Sequence, residues 1–335
     1  MERAPQHLMR SLASFTAVFA LASAIVVSNA SAQEGSRRAA SRNPHARAAC
    51  GDVLAFQVLL DGHGFSPGEI DGQLGTNTRR ALEAFQQASQ LKPTGTPDCQ
   101  TWSALGGNDQ TSSTTEYTIT QADAAGPFGE KIPEDLLEQA KLPALNYTSL
   151  AEELSERFHA SPATLTRLNP DKHFEAGTTI TVPDVKPFDY KAKPAHDTAA
   201  GNVKVEVTRA GSLRVIGGND QTIFFAPVTS GSSHDPLPIG NWHVQTVAWM
   251  PDFHYNPDLF WDAKATDTKA TIKPGPNNPV GVVWIDLSRE HYGLHGTPEP
   301  SRIGYTQSHG CVRLTNWDAA RVAALVGPNT PVIFK

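Results

Sequence analysis

The sequence predicts several domains, of which the last is mainly β-stranded with a sandwich-like mixed sheet, preceded by a small three-helix domain and a small α+β domain. Its 335 residues exceed the usual length of one compact domain. Apolar residues recur at helical spacing in the first half and alternate with a period of two from Val203 onward. Stretches rich in Gly, Ser, Thr, Lys, Pro and Ala separate these regions and are typical of linkers.

Residues 1–32 have the pattern of a secretory signal peptide. Arg3 and Arg10 flank the start of an apolar run over 12–27, and Ala30-Ser31-Ala32 forms an A-x-A cleavage site. We expect an exported protein that is cleaved after Ala32 and works in an oxidising periplasm or cell wall. An uncleaved N-terminal anchor is the alternative. No later segment has the roughly 18 consecutive apolar residues of a membrane span.

Composition excludes nucleic acid as a partner. The formal net charge is −6, whereas phosphate binding requires a concentrated basic surface. Residues 33–49 are polar and rich in Arg without apolar periodicity, so we interpret them as a linker.

Residues 50–106 predict three helices. The first begins after Asp52 and is interrupted at 61–64, the second has Thr76 or Asn77 as its cap, and a short third helix begins at Cys99. An odd cysteine count in an exported protein indicates one disulfide and one free thiol. Cys50 and Cys99 bracket this region, and their bridge would contribute about 4 kcal/mol in the chain-entropy model. Cys311 remains free.

Residues 107–116 form a predicted linker, and 117–184 a predicted α+β unit. Within it, a strand over 117–119 is followed by two helices and by a second strand over 179–182. The helices carry apolar residues on one face each: Leu150, Leu154 and Phe158, then Leu165 and Leu168. Residues 185–200, rich in Lys, Pro and Ala, form a second predicted linker.

Residues 201–335 predict short strands with turns, either a β-sandwich or a folded-over sheet. The pattern lapses into an aromatic and Pro-rich stretch over 250–275, and a loop of that length in a domain is usually functional. A helix capped by Asn316, with Asp318 in its first turn, ends at Gly327-Pro328.

The residues best suited to chemistry are His295, His309 and Cys311, which lie within seventeen residues of each other, each beside a glycine. A thiol with an ordinary pKa near 8.5 is only slightly ionised at pH 7. A neighbouring imidazole can take its proton, stabilise the thiolate as an ion pair, and later protonate a leaving amine. The pattern therefore predicts acyl transfer on Cys311 without a cofactor.

Two alternatives remain open for this cluster. His291, His295, His309 and Cys311 would supply four zinc ligands, although no C-x-x-C or H-E-x-x-H pair is present, so we predict no metal. Alternatively, Cys311 is a buried structural thiol.

Residues 200–335 resemble the L,D-transpeptidase family, cysteine enzymes of peptidoglycan cross-linking with a YkuD-type catalytic domain. The resemblance rests on the string H-G-T-P-E-P…I-G…S-H-G-C-V-R-L-T-N-W-D-A. It implies that Cys311 is the nucleophile and His295 the general base and acid, although the short spacing to Ser308 leaves the choice between His295 and His309 open. The backbone N–H groups around Gly310 and Cys311 would form the oxyanion hole.

The same resemblance implies further site residues. Arg313 would bind a substrate carboxylate, with an internal salt bridge as its alternative role. The remaining substrate-binding or oxyanion residues that it implies are Ser308, Gly310, Asn316 and Tyr292. The lid residues that it implies are Tyr255 and Trp261.

Two upstream regions also resemble wall-binding modules. Residues 50–106 resemble the three-helix peptidoglycan-binding domain, on the turn P-G-x-I-D-G-x-x-G-x-x-T and the helix motif A-x-x-x-F-Q. Residues 117–184 are similar to a LysM module that grips glycan, and a plain α+β spacer is the alternative.

The resemblance implies peptidoglycan as partner and a two-step reaction on a tetrapeptide stem. Cys311 would attack the bond between the L-diamino acid and D-Ala, and an amine of a neighbouring stem would take the acyl group to give a 3→3 cross-link. Water or a protein lysine as acceptor would give carboxypeptidase or anchoring activity, and carbapenems are expected to acylate the thiol. A non-catalytic wall-binding protein is the alternative from another class.

Overall fold

The computed structural model describes residues 50–308 and 310–335. The predicted signal peptide, the linker over 33–49 and His309 lie outside the described residues. All described residues belong to one compact unit, Arg47–Lys335. We refer below to the three-helix region (50–106), the middle segment (117–184) and the C-terminal domain (201–335).

The three-helix region contains three α-helices, as predicted: α1 Val53–Gly62, α2 Thr76–Ala88 and α3 Cys99–Ala104. Asp52 caps α1 and Asp98 caps α3, each with a side chain that accepts a backbone N–H bond of the first turn. Helix α2 instead begins behind Gly75 without a side-chain cap, which corrects the prediction of Thr76 or Asn77. A disulfide joins Cys50 to Cys99.

Two buried glutamines hold the turns of this region. Gln57 accepts the backbone N–H of Gly72 at 2.7 Å, and Gln86 accepts those of Thr94 and Gly95 at 2.8 and 2.9 Å. Gln86 belongs to the F-Q motif of the sequence, so this part of the motif stabilises a turn.

The middle segment has two strands around four helices: β1 Thr114–Thr118, α4 Gln121–Ala124, α5 Leu136–Gln139, α6 Leu150–Arg157, α7 Pro162–Leu168 and β2 Thr179–Pro183. The strands pair antiparallel, and β1 begins inside the predicted linker over 107–116. Leu154 and Leu165 of the predicted helical faces are fully buried. The one-turn helices α4 and α5 were not predicted, because they are too short to show apolar periodicity.

Part of the predicted linker over 185–200 packs against the rest of the protein, while most of its residues are exposed. Tyr190 is buried and meets the ring of Tyr147 edge-on, with 5.1 Å between the centroids. The Phe188 N–H donates to the Arg157 carbonyl at 2.8 Å. The Lys and Pro content of this stretch led to its prediction as a linker, and gave no sign of the contacts that Tyr190 and Phe188 make.

The C-terminal domain contains eleven strands and one α-helix among the described residues. In chain order they are β3 Lys204–Thr208, β4 Ser212–Ile216, β5 Thr222–Pro227, β6 Thr229–Ser230, β7 Gly240–Trp249, β8 Phe253–Tyr255, β9 Ala270–Ile272, β10 Val283–Leu287, β11 Gly293–His295, β12 Val312–Arg313, α8 Asn316–Leu325 and β13 Pro331–Phe334. Nine of these strands form one mixed sheet in the order β5-β4-β3-β13-β7-β10-β11-β12-β6.

The long strand β7 folds this sheet into two halves. Residues 240–243 pair with β13, and residues 244–249 pair with β10. The two halves enclose one core, to which alternate residues such as Val205, Val207 and Ile285 contribute. This arrangement confirms the predicted mainly β, mixed-sheet domain. The short strands β6, β12 and β13 were not predicted because each is short and pairs with residues distant in sequence.

Helix α8 begins at Asn316, and its cap is Thr315, whose hydroxyl accepts the Asp318 N–H at 3.2 Å. The cap is therefore one residue earlier than predicted. No helix within residues 50–308 and 310–335 has the length and apolarity needed to cross a membrane.

All three parts of the protein meet on α8. Arg321 donates two hydrogen bonds to the carboxylate of Asp61 on α1, at 2.8 and 2.7 Å. His159 of the middle segment lies 3.1 Å from the same carboxylate and stacks on Trp317, with 5.2 Å between the rings. Burial works against the charge, but Arg321 and His159 hold the pKa of Asp61 well below its usual range.

The three-helix region also extends the sheet. Phe65 lies beside Phe225 of edge strand β5, and the N–H groups of Ser66 and Phe225 donate to Phe225 and Gly64 carbonyls at 2.8 Å each. Gly64 has φ +81°, and a Cβ there would lie 2.9 Å from the Ile223 carbonyl oxygen. The contact covers one sheet edge that would otherwise be open to pairing.

A second buried carboxyl joins the middle segment to α8. Asn316 donates to Glu156 at 3.0 Å, and the Tyr147 hydroxyl donates to the same carboxyl at 2.8 Å. Burial raises the pKa of Glu156 from its ordinary 4.5 to about 8, although these two donors oppose the shift.

The Asp61–Arg321 pair gives a stability prediction. Arg321→Met should destabilise the fold by about 3–5 kcal/mol, because it leaves a buried carboxylate without its bidentate partner. Lys141→Met is the matched control, since Lys141 pairs with Glu138 on the surface and such pairs contribute about 0–1 kcal/mol. Urea unfolding measures both, and equal effects would contradict the prediction.

Glu156 gives a pH prediction. A carboxyl whose pKa is raised in the folded state favours folding only while it is protonated. Its contribution to the free energy of unfolding is complete below the ordinary pKa and is lost as the pH rises through the folded-state pKa of about 8. Glu156→Gln keeps an acceptor oxygen without the charge. The free energy of unfolding of the variant, relative to that of the parent, should therefore rise by up to about 1.4 kcal/mol per pH unit between these two pKa values. Exposed Glu138→Gln is the control. If the difference in unfolding free energy between variant and parent did not change from pH 5 to 8, the raised pKa of Glu156 would be contradicted.

Candidate active site

Strands β11 and β12 bring three of the predicted site residues to one face of the sheet. They run parallel, with Leu294 opposite Val312 and His295 opposite Arg313. Leu294 and Val312 are fully buried in the core. Because side chains alternate along a strand, His295 and Arg313 lie on the opposite face, and Cys311, one residue before Val312, lies on their side.

The Cys311 thiol is surrounded by backbone groups. It donates to the His291 carbonyl at 3.6 Å, and the backbone N–H of Gly293 donates towards the sulfur. Cys311 keeps part of its surface exposed. Burial nevertheless raises the pKa of the thiol, and the Gly293 N–H and the charge of Arg313 oppose that shift. Burial of the sulfur therefore favours the protonated thiol over the thiolate.

His295 is buried and held in one orientation. Its Nδ1 lies 2.7 Å from the Gly296 carbonyl, and the ring of Trp284 stacks on it at 5.5 Å. A carbonyl only accepts, so Nδ1 carries the proton and Nε2 carries the free lone pair. Burial and the charge of Arg313 lower the pKa of His295 to about 3. The imidazole is therefore neutral at physiological pH.

The raised pKa of Cys311 and the lowered pKa of His295 both disfavour the resting thiolate–imidazolium ion pair that the sequence suggests. Burial penalises both the thiolate of Cys311 and the imidazolium of His295, so the neutral forms are favoured on both partners. A neutral pair is suited to proton transfer that accompanies bond formation, since neither charge exists beforehand.

The turn before the nucleophile is fixed by Ser308. Its hydroxyl donates to the Cys311 carbonyl at 2.7 Å and accepts the Gly231 N–H at 2.7 Å. Gly310 follows with φ +102°, and a Cβ there would lie 2.7 Å from the ring of Tyr292. Tyr292 thus forms a wall beside the nucleophile, and only glycine fits against it.

Arg313 has an unused donor. Its Nε is buried without a hydrogen-bond partner, and it forms no ion pair with any residue of 50–308 or 310–335. Burial lowers the pKa of Arg313, opposed by Cys311 and Glu299. Within the described chain the salt-bridge alternative therefore has no partner.

Asn316 does not reach the site surface. It is fully buried and donates to Glu156 and to the Pro276 carbonyl at 3.0 and 3.1 Å, while its oxygen accepts the Val282 N–H at 3.2 Å. Since its amide is fully used, the prediction that Asn316 binds substrate is corrected: it connects the middle segment to α8.

The predicted lid over 250–275 is partly regular. Strands β8 and β9 pair antiparallel within it. Tyr255 is buried, and its hydroxyl donates to Asp267 at 2.9 Å, so it holds the segment together and has little surface to offer a ligand. Trp261 is 57% exposed and stacks on His234 at 4.3 Å.

The zinc alternative lacks support in the described chain. Across 50–308 and 310–335, no three His, Cys, Asp or Glu side chains are grouped so as to hold a metal ion. His309, one of the four ligands in that alternative, lies outside these residues.

Sequence reasoning missed Trp284 and Gly293. In strand β10, Trp284 and Asp286 alternate with fully buried neighbours. The carboxylate of Asp286 within the apolar run was the available signal for a half-exposed strand. A Cβ at Gly293 would lie 2.6 Å from Trp284, a close approach that no local pattern indicates.

Sequence comparisons identify two regions. Residues 203–334 match the YkuD family model, the "L,D-transpeptidase catalytic domain", and residues 51–105 match the "Putative peptidoglycan binding domain". "Putative L,D-transpeptidase YkuD" of Bacillus licheniformis is 45% identical over 60 residues, 18% of this chain and 36% of that protein. "Probable L,D-transpeptidase YbiS" of Escherichia coli K12 is 30% identical over 119 residues, 34% of this chain and 38% of that protein. The chain thus spans well under half of these relatives.

Among solved structures, an L,D-transpeptidase from Mycobacterium smegmatis is 19% identical with a TM-score of 0.32, covering 49% of this chain and 76% of its own. L,D-transpeptidase 3 from Mycobacterium tuberculosis, in complex with a faropenem-derived adduct, is 16% identical with a TM-score of 0.31 over the same shares. Residues 203–334, which contain Cys311, His295 and Arg313, thus match the model of the YkuD family of L,D-transpeptidase catalytic domains, and a match to a peptidoglycan-binding domain precedes them in the chain.

Proposed function

We propose that this protein is a peptidoglycan L,D-transpeptidase. Cys311 attacks the carbonyl that joins the L-diamino acid to D-Ala in a tetrapeptide stem, D-Ala leaves, and a neighbouring stem amine takes the acyl group to form a 3→3 cross-link. The observation that carries this proposal is a thiol and a neutral imidazole of fixed tautomer, Cys311 and His295, on one face of adjacent strands in a domain of this family.

In the first step, sulfur forms a bond to the carbonyl carbon while Nε2 of His295 takes the thiol proton. The lone pair that Nε2 keeps while Nδ1 donates to the Gly296 carbonyl supports this assignment, because it leaves the imidazole free to accept a proton. The carbon–nitrogen bond then breaks, and the imidazolium returns the proton to the departing D-Ala amine. A thioester on Cys311 remains.

In this proposal, different donors stabilise the negative charge that develops on the Cys311 sulfur and the oxyanion of the tetrahedral intermediate. The Gly293 N–H and the Arg313 charge favour the developing thiolate, as their effects on the pKa of Cys311 indicate. The backbone N–H groups of Gly310 and Cys311 remain the candidates for the oxyanion of the tetrahedral intermediate. The Ser308 hydroxyl, bonded on both sides, acts as a positioning residue for this turn.

Arg313 is proposed to bind a carboxylate of the donor stem. A buried guanidinium Nε without a partner is costly, and a carboxylate would satisfy it with a charge-assisted hydrogen bond. Trp261 is the remaining lid candidate with surface to cover such a stem.

The second step has three possible acceptors. A stem amine gives the cross-link, water gives L,D-carboxypeptidase activity, and a protein lysine gives anchoring, all from the same thioester. We favour the stem amine because the preceding domain matches a peptidoglycan-binding family and would raise the local concentration of stems. Export to the periplasm or cell wall through the N-terminal signal belongs to this proposal. The middle segment is proposed to assist as a LysM-like glycan contact.

Loss of the thiol should abolish the reaction. With disaccharide-tetrapeptide as substrate, Cys311→Ala should release no D-Ala and acquire no carbapenem mass. His295→Gln should lower the rate by about 10²–10⁴, the usual contribution of a general base. Mass spectrometry distinguishes a dimer lacking one D-Ala from a shortened monomer.

Two further variants serve as comparisons in that assay. Exposed His196→Gln should match the parent. If His309→Gln lost more activity than His295→Gln, proton transfer would belong to His309. Unchanged turnover by Cys311→Ala would contradict the role of the thiol, and no turnover by the parent would leave the protein as a non-catalytic wall binder.

The surroundings of the thiol also predict a pH profile. Alkylation of Cys311 by iodoacetamide should rise with pH to an inflection above that of an ordinary thiol, because burial raises the pKa of Cys311. Arg313→Gln removes a charge that favours the thiolate, so the inflection should move to still higher pH. Exposed Arg79→Gln is the control. An inflection that stays or moves down in Arg313→Gln would contradict the assigned electrostatics.

A further inference from the structure

A cleft of about 380 Å³ lies between the three-helix region and the C-terminal domain. Arg80 of α2 contributes one wall, and the turn after β3 contributes another with Arg209. Residues around β6 form the rest, among them Ser230, Gly231 and Thr306. Its volume is within the range of sites that hold small ligands or single residues of a peptide.

Arg80 has no acceptor in this cleft. Its Nη1 is buried without a hydrogen-bond partner, and no ion pair joins it to residues 50–308 or 310–335. A Cβ on Gly211 would lie 3.3 Å from that nitrogen, so the backbone of this turn approaches the guanidinium closely. A desolvated cationic donor without a partner is costly, and a bound anion would remove the cost.

The other walls of the cleft reinforce its preference for an anion. Arg209 is exposed and likewise has no ion pair within the described chain. The Ser230 hydroxyl is buried without a partner, so it is a further free donor. None of the described residues that line the cleft is acidic. Two guanidinium groups and a hydroxyl suit a carboxylate, which accepts several hydrogen bonds at once.

The cleft is connected to the nucleophile. Strand β6 pairs with β12, with Ser230 opposite Val312. The Gly231 N–H donates to the Ser308 hydroxyl, which donates to the Cys311 carbonyl. A ligand held against β6 would therefore lie one strand away from the strand that carries Cys311.

We propose that this cleft is a second peptide site, which binds a free carboxylate of a peptidoglycan stem through Arg80 and Arg209. It is distinct from the Arg313 contact proposed for the donor stem. The identity of the ligand rests on the proposed function, because that function supplies stem peptides as the carboxylate-bearing substrate.

The test reads the cleft itself. Full-length Cys311→Ala protein, labelled with ¹⁵N-arginine, is titrated with a stem tetrapeptide bearing free carboxylates and with the same peptide amidated. The Nε–H signals of Arg80 and Arg209 should move with the free acid and stay with the amide. The signal of Arg79, which neighbours Arg80 and is exposed, should stay in both titrations.

Matched variants give the magnitude. Arg80→Gln should weaken binding, read on the Arg209 signal, by about tenfold, the usual cost of losing one charged hydrogen bond. Arg79→Gln should bind like the parent. Arg209→Gln, at an exposed position, repeats the test on the Arg80 signal if Arg80→Gln melts at a lower temperature than the parent.

The outcomes separate the two proposals. Movement of both arginine signals in Cys311→Ala, together with no D-Ala release by the parent protein, would support the cleft and overturn the transpeptidase. D-Ala release by the parent without movement of either signal would overturn the cleft alone. Equal affinities for Arg80→Gln and Arg79→Gln, or for the free acid and the amide, would also overturn it.

Discussion

The contact on which the arrangement of this protein depends is the buried carboxylate of Asp61, held by Arg321 and touched by His159. A carboxylate without solvent is tolerated only when it is paired and hydrogen-bonded, so all three partners must be in place at once. They come from the three-helix region, the middle segment and helix α8. Each part of the described chain therefore positions the other two.

This constraint reaches the candidate active site along the backbone. Helix α8 begins at Asn316, three residues after Arg313 ends strand β12. Asn316 bonds to Glu156 of the middle segment, and Asp318 accepts the Ser66 hydroxyl of the three-helix region at 2.8 Å. The strand that follows Cys311 is thus anchored to a helix that two other regions hold. Side chains far from the thiol fix its place in the sheet.

The arginines of the C-terminal domain and its neighbours fall into two groups. Arg321 is fully used as a bidentate structural partner, and the Arg157 guanidinium likewise pairs with two carboxylates of the middle segment. Arg80, Arg214 and Arg313 instead keep buried donor atoms that the described chain does not satisfy. Of these three, Arg80 lines the cleft and Arg313 lies on the face of Cys311, so each is placed to meet a carboxylate of the proposed substrate.

The sequence by itself determined the local structure and the chemistry-bearing residues. Helical spacing specified the helices of the three-helix region, and alternation from Val203 specified the first strands, because both signals depend on neighbours a few residues away. The S-H-G-C-V-R string with its upstream H-G-T indicated the family whose model matches residues 203–334.

Only the tertiary structure decided which of these residues share an environment. The sequence predicts Asn316 as a helix cap and a site residue, but in the structure its amide donates to Glu156, which lies 160 positions away in the chain. The short strands β12 and β13 acquire their structure from distant partners, and the packing around Cys311 and His295 favours their neutral forms. Burial and long-range pairing are properties of the folded chain, and they leave no periodic trace in the residues that undergo them.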